Sequence, residues 1–406
     1  LLEALNTSFQ LHYQVSPDRF AELYNIAQAI SGPVLAAATN SPILFGKRLW
    51  RETRIAIFQQ TVDTRGRIPP ERDLLARVRF GESWLDNSVM EIFKSDVSRF
   101  RVILGRDIDE EPFDEIAAGR APALQALQLF NSTIYRWNRA CYGAAGGKAH
   151  LRIENRLLPA GPTTVDEMAN AAFWFGLMHG GPEALGDIRT RLTFDDARAN
   201  FLAAAYQGLL AEFTWTNGQF LTARELILKE LLPIARNGLA NAGIDVRDRE
   251  YFLDIIAARV ESRRTGAQWL MNSVAGMSGR GTRFERLTAL TAGMASRQHP
   301  APGDDPAPVH TWTPAVLGEG GCWTRNYQRV GQYMTTDLFT VHEDDTIDLV
   351  MTVMDWEHIR HIPVEDNEHR LVGIVSYRPL LAHLARCMTT NNPQQVYSVP
   401  VKSIMK

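Results

Sequence analysis

Between Gln298 and Gly321 the chain carries five prolines and several glycines. The stretch runs His-Pro-Ala-Pro-Gly-Asp-Asp-Pro-Ala-Pro from His299 and has almost no large apolar side chain before Trp312. A segment of that kind buries too little apolar area to offset the entropy lost on ordering it. The 406-residue sequence is therefore not expected to close around a single core. It reads as a larger unit over residues 1–297, a connector over 298–321 and a smaller unit beyond.

The two sides of the connector carry different patterns. Residues 8 to 15, Ser-Phe-Gln-Leu-His-Tyr-Gln-Val, alternate with a period of two up to Ser16-Pro17-Asp18. This predicts a strand feeding a helix, with Gln10, His12 and Gln14 on one face. Phe20, Leu23, Ala27 and Ile30 then mark one side of a helix expected to end near Gly32-Pro33. Helical spacing returns at Phe201, Leu202, Ala205 and Leu209, at Leu226, Ile227, Leu231 and Ile234, and at Phe252, Ile255, Ile256 and Val260. Residues 165–275 are accordingly expected to be mostly helical. After the connector the pattern shortens to 338–341, 347–354, 361–364, 371–375 and 377–387, a compact β-α-β-β-α unit within 322–390.

Lys and Arg number 43 against 46 Asp and Glu. Such a balance lacks the basic excess that phosphate-backbone binding requires, so nucleic acid is not an expected partner. No apolar run approaches the length needed to cross a bilayer, and the first ten residues lack the pattern of a signal peptide, which together point to a cytoplasmic protein without a membrane partner. Cys141, Cys322 and Cys387 are odd in number and widely separated, against both a disulfide framework and a zinc cluster. Leu1 is not a natural start, and the end reads as the opening of a further unit, so a fragment cut at both ends is expected.

The chemistry concentrates between His150 and His179. On a strand Arg152, Glu154 and Arg156 share one face while Leu151, Ile153 and Leu157 take the other. Such a row is either ion pairing on a solvated sheet or a site where a carboxylate holds a divalent cation and guanidinium groups hold phosphate. The Gly143 to Lys148 stretch lacks the spacing of a phosphate-binding loop and reads as a turn before that strand.

The strand Ile153-Glu154-Asn155-Arg156 and the following helix with Ala172-Phe173-Trp174-Phe175-Gly176-Leu177 resemble the Glu-x-Arg strand and helix of glutamate-cysteine ligases, especially the plant and proteobacterial type. Ser8-Phe9-Gln10-Leu11-His12 resembles their substrate-site strand. Asn40-Ser41-Pro42 and the run Arg48 to Arg54 resemble the loop that follows it. Ala223-Arg224-Glu225 through Ala240 and Glu261 through Ala267 resemble their C-terminal helices, so the likeness spans residues 5–275.

The resemblance implies an α+β fold, with an antiparallel sheet of the glutamine-synthetase/glutamate-cysteine-ligase kind and a helical C-terminal part. It also implies an ATP- and Mg²⁺-dependent ligase that joins amino-acid substrates by a γ-glutamyl-type amide bond through an acyl phosphate, with metal and cationic side chains stabilising the phosphates. Under it Glu154 and His12 are the metal candidates, and Arg156 and Arg51 the catalytic ones. Gln10, Arg48, Arg54 and Arg152 are candidates for ATP or substrate. Each has a plainer reading: His12 as a hydrogen-bonded strand histidine, and Arg48, Arg51 and Arg54 as one solvated or carboxylate-paired side of a helix. The family's glutamate-rich N-terminal strand has no counterpart before His12, so these 406 residues are expected to be inactive by themselves.

Val330 to Asp337, Thr340 to Thr346, Arg360 to Asp366 and Leu371 to Ser376 resemble a CBS motif, and Val399 to Met405 the start of a second, over 391–406. Such motifs pair around adenine nucleotides, which makes Ser376 the nucleotide candidate. Pro379 stands where a ribose-holding Asp would be. Nucleotide sensing and homodimerisation through the CBS units both remain open, as does a non-catalytic nucleotide sensor or scaffold on the ligase fold.

Overall fold

Alternating side chains over Leu11–Val15, Asn138–Ala145 and Lys148–Asn155 give three antiparallel strands, β1, β2 and β3, in the order β1-β3-β2. Leu11, Val15, Ala140, Leu151 and Ile153 are buried, and the alternate positions carry the polar side chains. The computed structural model describes residues 5–63, 76–299, 306–319, 334, 338–389 and 398–406. It divides into two units, residues 1–321 and 322–406.

Helix α1 (Phe20–Ala38) lies in the core of the first unit, with every residue but Glu22 buried. It passes through Gly32 and Pro33 rather than ending there. The hydrogen bond that Pro33 removes is offset by burial of Val34 through Ala38, each at most 4% exposed. Gly32 also lets the helix touch α6 (Phe194–Gln207), since a Cβ there would lie 2.9 Å from the backbone of Asn200.

The region expected to be helical is so, apart from a short hairpin pairing 212–214 with 220–222. Helix α5 (Thr164–Leu185) crosses α7 (Leu232–Asn241) at backbone contact through Gly176, Gly180 and Gly238.

The proline-rich stretch departs from the connector expected of it. Among its described residues, 306–319 pack onto the first unit, with Val309, Trp312 and Ala315 at 1%, 5% and 2% exposure. Trp312 stands edge-on to Trp269, with ring centroids 5.1 Å apart. The Val309 N–H donates to Asp166 Oδ2 at 3.0 Å, and Asp166 forms a buried ion pair with Arg259 at 2.7 Å. Three well-spaced apolar side chains and one buried carboxylate order a segment whose average composition argues for a linker.

Among the described residues no helix is long and apolar enough to cross a membrane. The second unit follows the expected order, with β4 (Val341–His342), α11 (Ile347–Trp356), β5 (His361–Glu365), β6 (Leu371–Ser376) and α12 (Tyr377–Thr389). Residues 398–406 join it, and Val401 and Ile404 belong to its core. Part of the expected motif, at 330–333 and 335–337, lies outside the described residues.

Candidate functional site

The site is built by a tight hairpin. Gly146 and Gly147 both have positive φ, 57° and 74°, as a two-residue turn between twisted strands requires. The turn fixes the register, setting Arg139 opposite Glu154 and Cys141 opposite Arg152. On the other side β1 pairs His12 with Glu154 and Gln14 with Arg152.

Glu154 is 1% exposed and is held from several directions. Arg139 Nε donates to Oε2 at 2.6 Å and the Cys141 thiol donates to the same oxygen at 3.3 Å. Arg156 Nε lies 3.7 Å from Oε1, and His12 Nε2 lies 4.0 Å from it.

Burial lowers the pKa of His12, with Arg152, Arg139 and Arg156 pushing the same way and Glu154 opposing, so the neutral imidazole is favoured. Burial, reinforced by Glu154, pushes the Cys141 thiol up to about 11, which keeps it protonated as a donor. Burial and then Arg139 press the Arg156 pKa down.

Arg139 and Arg156 thus stand against the carboxylate, Arg152 shares its strand face, and two of these three guanidinium groups keep spare donors. Among the described residues, Arg156 Nη1 and Arg152 Nε are buried without a hydrogen-bond partner. Orphaned cationic donors call for an anionic acceptor. Of the Glu154 oxygens, Oε2 already accepts from Arg139 and Cys141, while Oε1 faces Arg156 and His12 at 3.7 and 4.0 Å. Among the described residues no group of three His, Cys, Asp or Glu side chains could hold a metal ion. Glu154 and His12, the expected metal pair, face each other at 4.0 Å, and the orphaned guanidinium donors beside them suit an anionic acceptor.

The profile of glutamate-cysteine ligase family 2 matches residues 1–292. The chain belongs to that family. A CBS domain profile matches residues 330–386, so a glutamate-cysteine ligase family 2 region and a CBS domain share one chain. No curated protein matches it. Among solved structures it is similar to CBSX2, in a structure titled as a complex with AMP, at 26% identity and a TM-score of 0.16. That likeness covers 19% of this chain and 57% of the other.

Within this family 2 chain the structure brings together His12, Arg152, Glu154 and Arg156. Arg54 braces them from below, fully buried, with its guanidinium donating to the Leu157 carbonyl and, at 3.3 Å, to Glu52. Glu52 also accepts from Asn40 N at 2.8 Å and from Ser41 Oγ at 2.6 Å, which ties the loop 40–54 together.

Arg48 and Arg51 are not among the contacts of Glu154. The helical side that Arg48, Arg51 and Arg54 would share if this piece were helical does not form, because 43–44 and 47–48 make a hairpin and the helix α2 (Thr53–Thr61) begins only afterwards. Arg51 instead donates to Gln268 Oε1 at 2.8 Å. Gln10 is exposed just ahead of β1.

Sequence reasoning missed Arg139, Cys141 and Glu52. The first two were within reach, since counting outward from Gly146-Gly147 one residue at a time on each strand arrives at Arg139 opposite Glu154. In the second unit Ser376 closes β6, and Pro379 sits in the first turn of α12, where a proline costs no helical hydrogen bond.

Proposed function

We propose that the chain is an ATP-dependent carboxylate-amine ligase that activates a γ-glutamyl-type acid as an acyl phosphate and passes the acyl group to an amine. The observation that carries this is the pair of orphaned guanidinium donors beside buried Glu154, on a sheet face that lies wholly within the matched ligase family. Arg152 and Arg156 bind the transferring phosphoryl group or the acid and spread its charge. Glu154 positions Arg139 and Arg156. The neutral imidazole of His12 takes up the proton that the attacking amine releases.

Mg²⁺ enters this proposal with ATP, bound through its phosphates, with Glu154 as the carboxylate nearest to them. The CBS unit, in a cytoplasmic setting rich in adenine nucleotides, is proposed to bind one near Ser376 or to pair with a second copy. A melting shift with AMP that the Ser376→Ala variant loses supports nucleotide binding.

The test is ADP formation with acid and amine supplied separately and together. The proposal expects ADP only when acid is present, faster with amine, and none from the Arg156→Gln variant. Formation of AMP in place of ADP, or full activity in that variant, overturns it. The lone carboxylate favours one second reading, a nucleotide sensor on a ligase fold, for which nucleotide binds and nothing turns over.

A further inference from the structure

A second cationic site stands apart from the sheet. Where α8 (Val246–Ser262) turns into α9 (Gly266–Gly276), a cavity of about 380 Å³ is lined by Arg51, Ser262, Arg263, Arg264, Thr265 and Gln268 among others. Among the described residues it shares no lining residue with Glu154 or its partners, and no acidic side chain lines it. Among the described residues none of its three guanidinium groups forms an ion pair with a carboxylate.

Arg51 is half-buried there, with one terminal nitrogen held by Gln268 and the Met271 sulfur. Burial and then the neighbouring Arg48 press its pKa down, with no acid opposing.

Arginines at a helix C-terminus have an ordinary explanation, since they meet the partial negative charge of the last carbonyls. It accounts for part of this cluster, and Arg264 donates to the His310 carbonyl at 3.2 Å. About half a charge at the end of α8 does not balance three guanidinium groups. The backbone of Arg263 serves the helix end itself: its φ of 55° makes the left-handed cap of α8, with the Arg263 and Arg264 N–H groups closing on the Val260 and Arg259 carbonyls. The positive end of α9 opens on the same cavity, with Thr265 as its cap.

We propose that this pocket binds a small, multiply charged oxyanion, phosphoryl or polycarboxylate, with the Arg51 and Arg263 guanidinium forks as its principal ligands and Thr265 beside them. The volume suits a metabolite-sized ligand rather than a macromolecule.

The experiment uses calorimetric titration and thermal melting of the 406-residue chain with sodium pyrophosphate and, separately, citrate, at ionic strength matched with chloride. With Arg156→Gln in place to silence the sheet face, saturable binding is expected, and it should be about tenfold weaker when Arg263→Gly or Arg51→Gln is added. Arg263→Gly relieves the left-handed strain, so its melting temperature without anion should equal or exceed that of the wild type, and a general loss of structure cannot explain lost binding. The stronger of the two probes identifies the ligand as phosphoryl or carboxylate. In that background, no saturable binding, or an affinity that Arg263→Gly leaves unaltered, overturns the proposal. Because the pocket and the sheet face share no residue, failure here leaves the ligase reading standing, and the reverse also holds.

Discussion

Replacing Glu154 with Gln separates an anion site from a metal site, because the two assign opposite signs to its effect on nucleotide. Gln keeps the shape and one oxygen for Arg139 Nε, now 2.6 Å from the carboxylate, but removes the charge. Removing one member of a buried pair costs about 3–5 kcal/mol. Arg139 and Arg156 are 24% and 18% exposed and recover part of that from water. A destabilisation of about 2–3 kcal/mol follows, or a fall of about 5–10 °C in Tm.

A phosphate on the freed guanidinium groups would lie about 6 Å from residue 154, where one charge at an effective dielectric of about 40 is worth about 1.4 kcal/mol, or tenfold in affinity. Titration of ATP in EDTA at low salt should therefore show Glu154→Gln binding about tenfold tighter than wild type, with the gain abolished by Arg156→Gln. Weaker metal-free binding by Glu154→Gln would refute the assignment of the sheet face as an anion site.

Gly238→Ala places a Cβ 2.0 Å from the Gly176 carbonyl oxygen and 2.6 Å from Gly180 N, all backbone, so α5 and α7 must part. A loss of about 3 kcal/mol in urea unfolding is expected, and an unchanged midpoint contradicts the close crossing. Asp166→Asn breaks the buried pair with Arg259 and weakens the anchor of Val309, so stability should drop by about 3–5 kcal/mol and amide exchange at Val309 should quicken. Unaltered exchange there means that 306–319 is held by its tryptophan alone. Because the pKa of His12 is lowered on folding, the unfolded chain binds more protons, and stability rises with pH up to the unfolded value near 6.5 and is penalised below it. The His12→Gln variant should therefore lose less stability than wild type between about pH 7.5 and 5.5, and an equal or larger loss contradicts the lowered pKa.

What the sequence revealed and concealed has physical causes. Period-two alternation located β1 and β3, and with them the shared face of His12, Glu154 and Arg156, because a strand has no other way to bury Leu11, Ile153 and Leu151. Helical spacing served less well for Arg48, Arg51 and Arg54. A three-residue spacing means one helical face only if a helix is present, and positive φ at Phe45 and Gly46 turns the chain into a hairpin instead. Local rules also ended α1 too early, since the burial that carries it past Pro33 comes from distant elements. Composition misread 306–319 for a related reason, because Val309 and Trp312 gain their value only from Trp269 and Asp166, far back in the chain. Arg139 was legible through the Gly-Gly turn and was missed.

The central claim is that a phosphoryl group passes from ATP to a carboxylate held on the sheet face. It is tested most directly by supplying the acid with ¹⁸O in its reacting carboxylate, together with ATP and amine, and weighing the released phosphate. One ¹⁸O should move from the acid into inorganic phosphate for each amide formed, and the transfer should vanish in Arg156→Gln. Amide formed with unlabelled phosphate, or with the label in AMP, would contradict the account.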